Sequence, residues 1–167
     1  MRSVVAVILA TLALTACQRE EQREIAKVSG RMFVFNYRVA TATYLVTLQP
    51  NAPIKDGSSI EAEFENPRGG DAFSIKEPLF PKNQKIVLQS PPVECIREGR
   101  PYAVKIRLKA PDGHVIQTIE TSITSDTDQS LLPAKPLVVG PLYTPNPEVF
   151  KQDGTTDMRP VQDCPAT

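Results

Sequence analysis

Residues 58–65 read SSIEAEFE, and this stretch decides the fold. Ile60, Ala62 and Phe64 alternate with Glu61, Glu63 and Glu65, a strict period of two. A strand sends successive side chains to opposite faces, so the stretch predicts a half-buried β-strand with an apolar inner face and a carboxylate outer face. Residues 102–109, YAVKIRLK, repeat the pattern with the opposite charge. Tyr102, Val104, Ile106 and Leu108 face in, and Lys105, Arg107 and Lys109 face out. Pro111-Asp112-Gly113 follows. Proline suits the first central position of a type I turn, and glycine accepts the positive φ that closes a bulged hairpin. Residues 115–124 are therefore predicted to return as the partner strand, with Val115, Ile119 and Ile123 in phase.

Working outward, the same period recurs in shorter runs. Residues 31–39 set Phe33, Phe35, Tyr37 and Val39 against Met32 and Val34, and residues 44–49 set Tyr44, Val46 and Leu48 on one face. Residues 72–76 carry Phe73 and Ile75, and residues 85–89 carry Ile86 and Leu88. Pro50, Pro53, Asp56-Gly57, Asn66-Pro67-Arg68-Gly69-Gly70, Pro78, Pro81 and Pro91-Pro92 punctuate these runs. About seven short strands at this spacing predict an all-β domain, a two-sheet antiparallel sandwich with an immunoglobulin-like Greek-key order. That order makes the third and sixth strands neighbours. Glu61, Glu63 and Glu65 would then lie beside Lys105, Arg107 and Lys109, each pair adding about 0.2–1 kcal/mol. The paired core cysteines and core tryptophan of antibody domains are missing, so the likeness is one of architecture. Tyr102, opening the sixth strand, is expected to hydrogen-bond back to a nearby backbone corner.

The chain begins MRSVVAVILATLALTAC. Arg2 supplies one positive charge, residues 4–13 are apolar, and small residues close the stretch, which is the layout of a secretory signal. As a helix, residues 4–16 would span only about 20 Å, short of the roughly 30 Å hydrocarbon core of a bilayer. Leu14-Thr15-Ala16-Cys17 resembles the lipobox of bacterial lipoproteins. The resemblance implies cleavage before Cys17 and acylation of Cys17 with diacylglycerol and a further palmitate-type chain. It covers the signal and Cys17 alone; no family is recognised for the rest. In that family Asp after the cysteine favours retention in the inner membrane. Gln18 stands here, which implies the outer membrane, facing the periplasm. The expected division is a signal peptide over 1–16, a lipidated tether over 17–27, a β-sandwich over 28–124, a Pro-rich apolar extension over 125–150 and a polar tail over 151–167.

Removing residues 1–16 from the 167 leaves 151, enough for one ordinary domain with a real core. It also removes Arg2, leaving 18 bases against 19 acids. That balance gives no reason to expect nucleic acid as a partner. Sixteen prolines and only 6% aromatic residues favour an extended, loop-rich chain over a helical one. Two cysteines remain, Cys95 and Cys164. In an oxidising envelope they are expected to pair, with free or intermolecular thiols as the alternative. Closing a loop of about 70 residues contributes roughly 4 kcal/mol in the chain-entropy model.

Residues 125–150, SDTDQSLLPAKPLVVGPLYTPNPEVF, are too apolar for ordinary disorder and too rich in proline for a regular ladder. Their side chains need a surface. One candidate is the domain's own sandwich, with residues 137–139 along an open edge; the other is a partner, for which Leu137, Val138, Val139, Leu142 and Tyr143 are the candidate contacts.

No motif for catalysis, metal or cofactor stands out. His114, the one histidine, follows Pro-Asp-Gly and belongs at an exposed hairpin tip. Asp126-Thr127-Asp128 starts like a calcium loop but lacks the turn glycine and the distal glutamate. The three glutamates of 61–65 point one way on an open face, which implies no cleft. No nucleophile elbow, phosphate loop or zinc-ligand spacing is present. The expectation is a non-enzymatic envelope lipoprotein, held to the membrane by Cys17 and acting through contacts with another envelope protein. Its layout is similar to small β-sandwich lipoproteins that pilot or assemble secretion systems, an analogy of architecture alone. The other expectation is a ligand-binding lipoprotein that captures a small molecule, a glycan or an enzyme such as lysozyme. A cluster of exposed aromatics, drawn from Phe80, Tyr143 and Phe150, would favour the latter.

Overall fold

A computed structural model describes residues 24–165. The residues read as a signal peptide, Cys17 and the stretch read as a tether up to residue 23 lie outside the described residues. Seven strands carry the domain: β1 (Ala26–Asn36), β2 (Thr41–Pro50), β3 (Ser59–Phe64), β4 (Phe73–Pro78), β5 (Ile86–Gln89), β6 (Pro101–Lys109) and β7 (Val115–Thr124). They form two antiparallel sheets, ordered β1-β2-β5 and β4-β3-β6-β7. This is the expected two-sheet sandwich with Greek-key crossings. It differs from the constant-type immunoglobulin order in one respect: β4 pairs with β3 instead of completing the first sheet beside β5.

The inner faces follow the period-two reading. Tyr44, Val46 and Leu48 of β2 and Leu88 of β5 pack against Ile60, Ala62 and Phe64 of β3 and Tyr102, Val104, Ile106 and Leu108 of β6, all buried. Phe33 and Tyr44, register partners on β1 and β2, pack at 4.5 Å, and rings bridge the sheets from Tyr44 to Phe64 at 5.3 Å and from Phe33 edge-on to Tyr102 at 5.6 Å. The buried Tyr44 hydroxyl donates to the Glu65 carbonyl at 2.8 Å. Burial, with the Glu65 charge nearby, pushes its pKa far up, so it stays a neutral donor. Tyr102 behaves as its position implied. Its hydroxyl accepts from the Arg97 N–H at 2.7 Å and donates to the Cys95 carbonyl at 3.4 Å.

The charge register also holds. Glu61 stands opposite Arg107 and Glu63 opposite Lys105 on adjacent strands. Arg107 pairs with Glu63, Lys109 reaches Glu61 at 2.6 Å, and Lys76 of β4 joins Glu61 at 3.4 Å. Lys105 turns to Glu120 of β7 at 3.1 Å, and Glu65 takes Arg100 at 2.8 Å. The outer face of the second sheet is thus a lattice of ion pairs.

Three local readings differ. β1 starts at Ala26, inside the stretch read as tether, because Gln117 of β7 fastens it. The Gln117 Oε1 accepts from the Ile25 and Ala26 N–H groups at 2.8 and 2.9 Å, and its Nε2 donates to the Ala26 carbonyl at 2.7 Å. Tyr37 and Val39 lie in the β1–β2 turn instead of a strand, where Ala40 takes a positive φ of 54°. Val115 is exposed, because the β6–β7 register shifts between Leu108 and Lys109. The bulge belongs to the Pro-Asp-Gly hairpin, whose Gly113 has φ 89°.

The extension joins the domain. Asp128 caps a single 3-10 turn, Gln129–Leu131, by accepting from the Ser130 N–H at 2.9 Å. Gln129 is buried; its amide accepts from the Ile96 N–H at 3.0 Å and donates to the Val93 carbonyl at 3.0 Å. Leu132 enters the sandwich core at 2% exposure. Residues 137–139 do not add to a sheet edge. Leu137 donates its N–H to the Arg38 carbonyl at 2.8 Å, and β8 (Val138–Val139) pairs with β9 (Thr144–Pro145) in a hairpin of its own. Cys95 and Cys164 are disulfide-bonded, with Cα atoms 5.4 Å apart, and this ties the polar tail to the β5–β6 loop.

Candidate functional site

The β1–β2 turn, the start of β6 and the end of β7 share one end of the sandwich, here called distal. The N-terminus of β1 and the β6–β7 hairpin lie at the other end, here called proximal. The extension packs at the distal end, and its β8–β9 hairpin is the candidate site.

Asn146 holds the base of that hairpin. It is buried, donates its N–H to the Leu137 carbonyl at 2.9 Å and its Nδ2 to the Pro136 carbonyl at 2.7 Å, and accepts from the Glu148 N–H at 3.0 Å. Val149 is fully buried beside it. Gly140 and Tyr143 take positive φ values of 69° and 53° at the two ends of the connecting turn, closed by the Tyr143 N–H on the Gly140 carbonyl. The Arg38 guanidinium sits 5.3 Å from the Tyr143 ring centre, a cation–π contact that ties the tip to the β1–β2 turn. The five candidate contacts therefore divide. Leu137 and Val138 are half-buried at the base, while Val139, Leu142 and Tyr143 project, Leu142 at 85% and Tyr143 at 58% exposure. Met32, Val34 and Tyr37 of β1 and its turn are exposed as well. The tip is an apolar patch held in one shape by hydrogen bonds at its base.

Two open clefts lie on the same end. One, of about 350 Å³, is walled by the disulfide, Gln129 and residues 160–163. The other, of about 990 Å³, is lined by Arg68, Arg97, Arg100 and Asp128. Its guanidinium groups are already paired: Arg68 with Glu94 at 2.7 Å, Arg97 with Asp128 at 3.6 Å, Arg100 with Glu65 at 2.8 Å. Burial raises the Asp128 pKa, but hydrogen bonds from Ser130 and the charge of Arg97 outweigh it and hold the carboxyl below its ordinary value. The stretch that began like a calcium loop thus spends its second aspartate on a cap and an ion pair. Among the described residues no group of three or more His, Cys, Asp or Glu could hold a metal ion. His114 sits on the proximal hairpin against Asp112 at 2.6 Å. The three candidate aromatics do not converge, since Phe80 follows β4 at the proximal end and Tyr143 lies at the distal one. Gln129 and Asn146, the amides that position the site, carry no signal in the sequence, and neither does Gln117, which fastens β1 at the other end. An isolated amide carries no periodic signal.

No family model matches the chain, and no curated protein is similar to it. Among solved structures, a protein described as a beta-galactosidase from Bacteroides fragilis is 20% identical over 57% of this chain and 16% of its own length, with a TM-score of 0.38. An endonuclease/exonuclease/phosphatase from Beutenbergia cavernae is 12% identical over 57% of this chain and 27% of its own, with a TM-score of 0.32. The chain spans about a quarter or less of either, and likenesses this weak carry no inference about activity. What stands is a class: an antiparallel β-sandwich of immunoglobulin-like strand order with an apolar hairpin fixed to one end.

Proposed function

We propose that this chain is a lipid-anchored protein of the bacterial envelope, held by Cys17 at the periplasmic face of the outer membrane, and that it works without catalysis by docking an envelope protein on its distal hairpin. The observation that carries the reading is the hairpin itself. A tip that presents Leu142 and Tyr143 to water, on an extension pinned to the domain by the buried Leu132 and Val149, is the form of a binding element. Its shape is set in advance, so little conformational freedom is lost on docking. The described chain starts at Glu24 at the opposite end, so an anchor at Cys17 would present the tip away from the bilayer. Two or more acyl chains, each buried methylene contributing about 0.8 kcal/mol, suffice for stable attachment.

The test compares the intact chain with Cys17→Ser in bacterial cells, by fatty-acid labelling and by crosslinking from the tip. The expected result is an acylated mature protein that begins at Cys17, with one dominant crosslinked partner that is lost from the soluble variant. An unacylated wild type contradicts the anchor. A pattern identical in both forms contradicts a membrane-dependent docking role.

A further inference from the structure

The proximal end has its own pattern, and it points to a second contact with the membrane. Residues 79–85 read LFPKNQK, a loop without an acid. Leu79 fixes it: the side chain is buried and the N–H donates to the Ser58 carbonyl at 2.8 Å. The next residue, Phe80, is thrown outward at 56% exposure, and the Asn83 N–H closes the turn on the Phe80 carbonyl at 3.1 Å. Lys82 and Lys85 flank it and are exposed. The loop joins Pro78, paired with Ser59, to Ile86, paired with Leu48. Leu48 also pairs with Val28 near the start of β1, so the loop shares an end with the N-terminal strand.

Length then decides what this end meets. Cys17 precedes Glu24 by seven residues, a reach of at most about 25 Å. An acylated Cys17 therefore keeps the proximal loops within a short distance of the headgroups at all times. An aromatic side chain beside two lysines is the composition that settles at such an interface: the ring enters the headgroup region and each lysine gains attraction from anionic lipid. The acids at the same end are Glu24, Asp56, Glu77 and Asp112, and Lys55 adds a further base. None of the acids lies within the loop.

We propose that the sandwich stands on the bilayer by this loop, with Phe80 in the headgroup region and Lys82 and Lys85 on anionic lipid, so that the β8–β9 hairpin is held outward. The inference rests on the lipid anchor proposed above. Together, acyl chains and loop would restrict tilt and hold the sandwich in one orientation.

The chain contains no tryptophan, so Phe80→Trp and Tyr143→Trp each give a single tryptophan that can be excited selectively over the tyrosines. The lipidated full-length variants are placed in vesicles of phosphatidylethanolamine and phosphatidylglycerol, with and without brominated acyl chains, and floated on a density gradient. The expected result is flotation of both, with a blue-shifted emission from position 80 that brominated lipid quenches and an unquenched emission from position 143. Adding Lys82→Glu and Lys85→Glu to Phe80→Trp is expected to reduce the quenching. Flotation with position 80 unquenched overturns the orientation and leaves the anchor standing. Failure to float overturns the anchor and the orientation with it. Quenching unchanged by the two glutamates overturns the role given to the lysines.

Discussion

Leu132 separates a C-terminal extension that belongs to the domain from one that merely follows it. Leu131 and Leu132 are adjacent, and the structure treats them oppositely: Leu131 is 42% exposed and Leu132 is 2% exposed within the core cluster. Leu132→Ala removes the same atoms as Leu131→Ala, so the two variants differ only in environment. Burial of leucine makes the loss about 2–5 kcal/mol, growing with the cavity that remains. Collapse is resisted here, because Gln129, whose carbonyl accepts from the Leu132 N–H, is itself hydrogen-bonded to both Ile96 and Val93 and holds the turn in place. The cost should therefore fall at about 3–4 kcal/mol, a large share of the 5–15 kcal/mol typical of a domain. Leu131→Ala should cost less than about 0.5–1 kcal/mol. Urea unfolding of the oxidised variants measures the difference. A melt should show a fall of roughly 6–16 °C for Leu132→Ala, at about 2–4 °C per kcal/mol for a chain of this size. Equal stabilities for the two variants would refute the packing of the extension into the core.

Three further outcomes follow from named contacts. Gln117→Leu removes the side chain that pairs with the Ile25 and Ala26 backbone, so hydrogen exchange should accelerate over residues 25–28 while the centre of β6 stays protected. Tyr102→Phe removes the hydroxyl between the Arg97 N–H and the Cys95 carbonyl and should lower stability by about 1–3 kcal/mol, read as a shift in urea midpoint. The hydrogen bond from Lys109, helped by its charge and by Lys76, holds the Glu61 carboxyl below its ordinary value of 4.5. A folded-state pKa below the unfolded one stabilises the native state above the ordinary value, and this contribution is lost as pH falls through the folded value. Glu61→Gln should therefore be less stable than wild type at neutral pH and lose less on acidification, which urea midpoints at about pH 7 and pH 3 would show.

The sandwich was legible because its strands alternate under two constraints at once, apolar inside and charged outside. Residues 58–65 and 102–109 state both the strand and its partner, since each outer face carries the charge the other needs. Alternation fails where the backbone changes phase. The shift between Leu108 and Lys109 sends Val115 outward although its sequence phase put it inside. At the other edge, the turn through Ala40 takes Tyr37 and Val39 out of a run that looked continuous with Phe33 and Phe35. The start of β1 was hidden for a different reason. Ala26 is buried, but it sits among charged residues, and the group that holds it is Gln117, ninety-one positions away. The site was half legible. Apolar residues among prolines announced an extension that needed a surface, yet whether Val139, Leu142 and Tyr143 would face in or out depended on two amides, Gln129 and Asn146, whose partners are backbone groups. Such contacts have no composition or period to read.

The most direct test of the account places a photocrosslinking residue at Leu142, and separately at Glu120 on the ion-paired outer face, in the acylated chain in living cells. The expected result is one dominant product from position 142, none from position 120, and loss of the product when Tyr143 is also changed to Asp. A product of equal yield from both positions, or none from position 142 in a folded and acylated protein, would contradict a docking role for the distal hairpin.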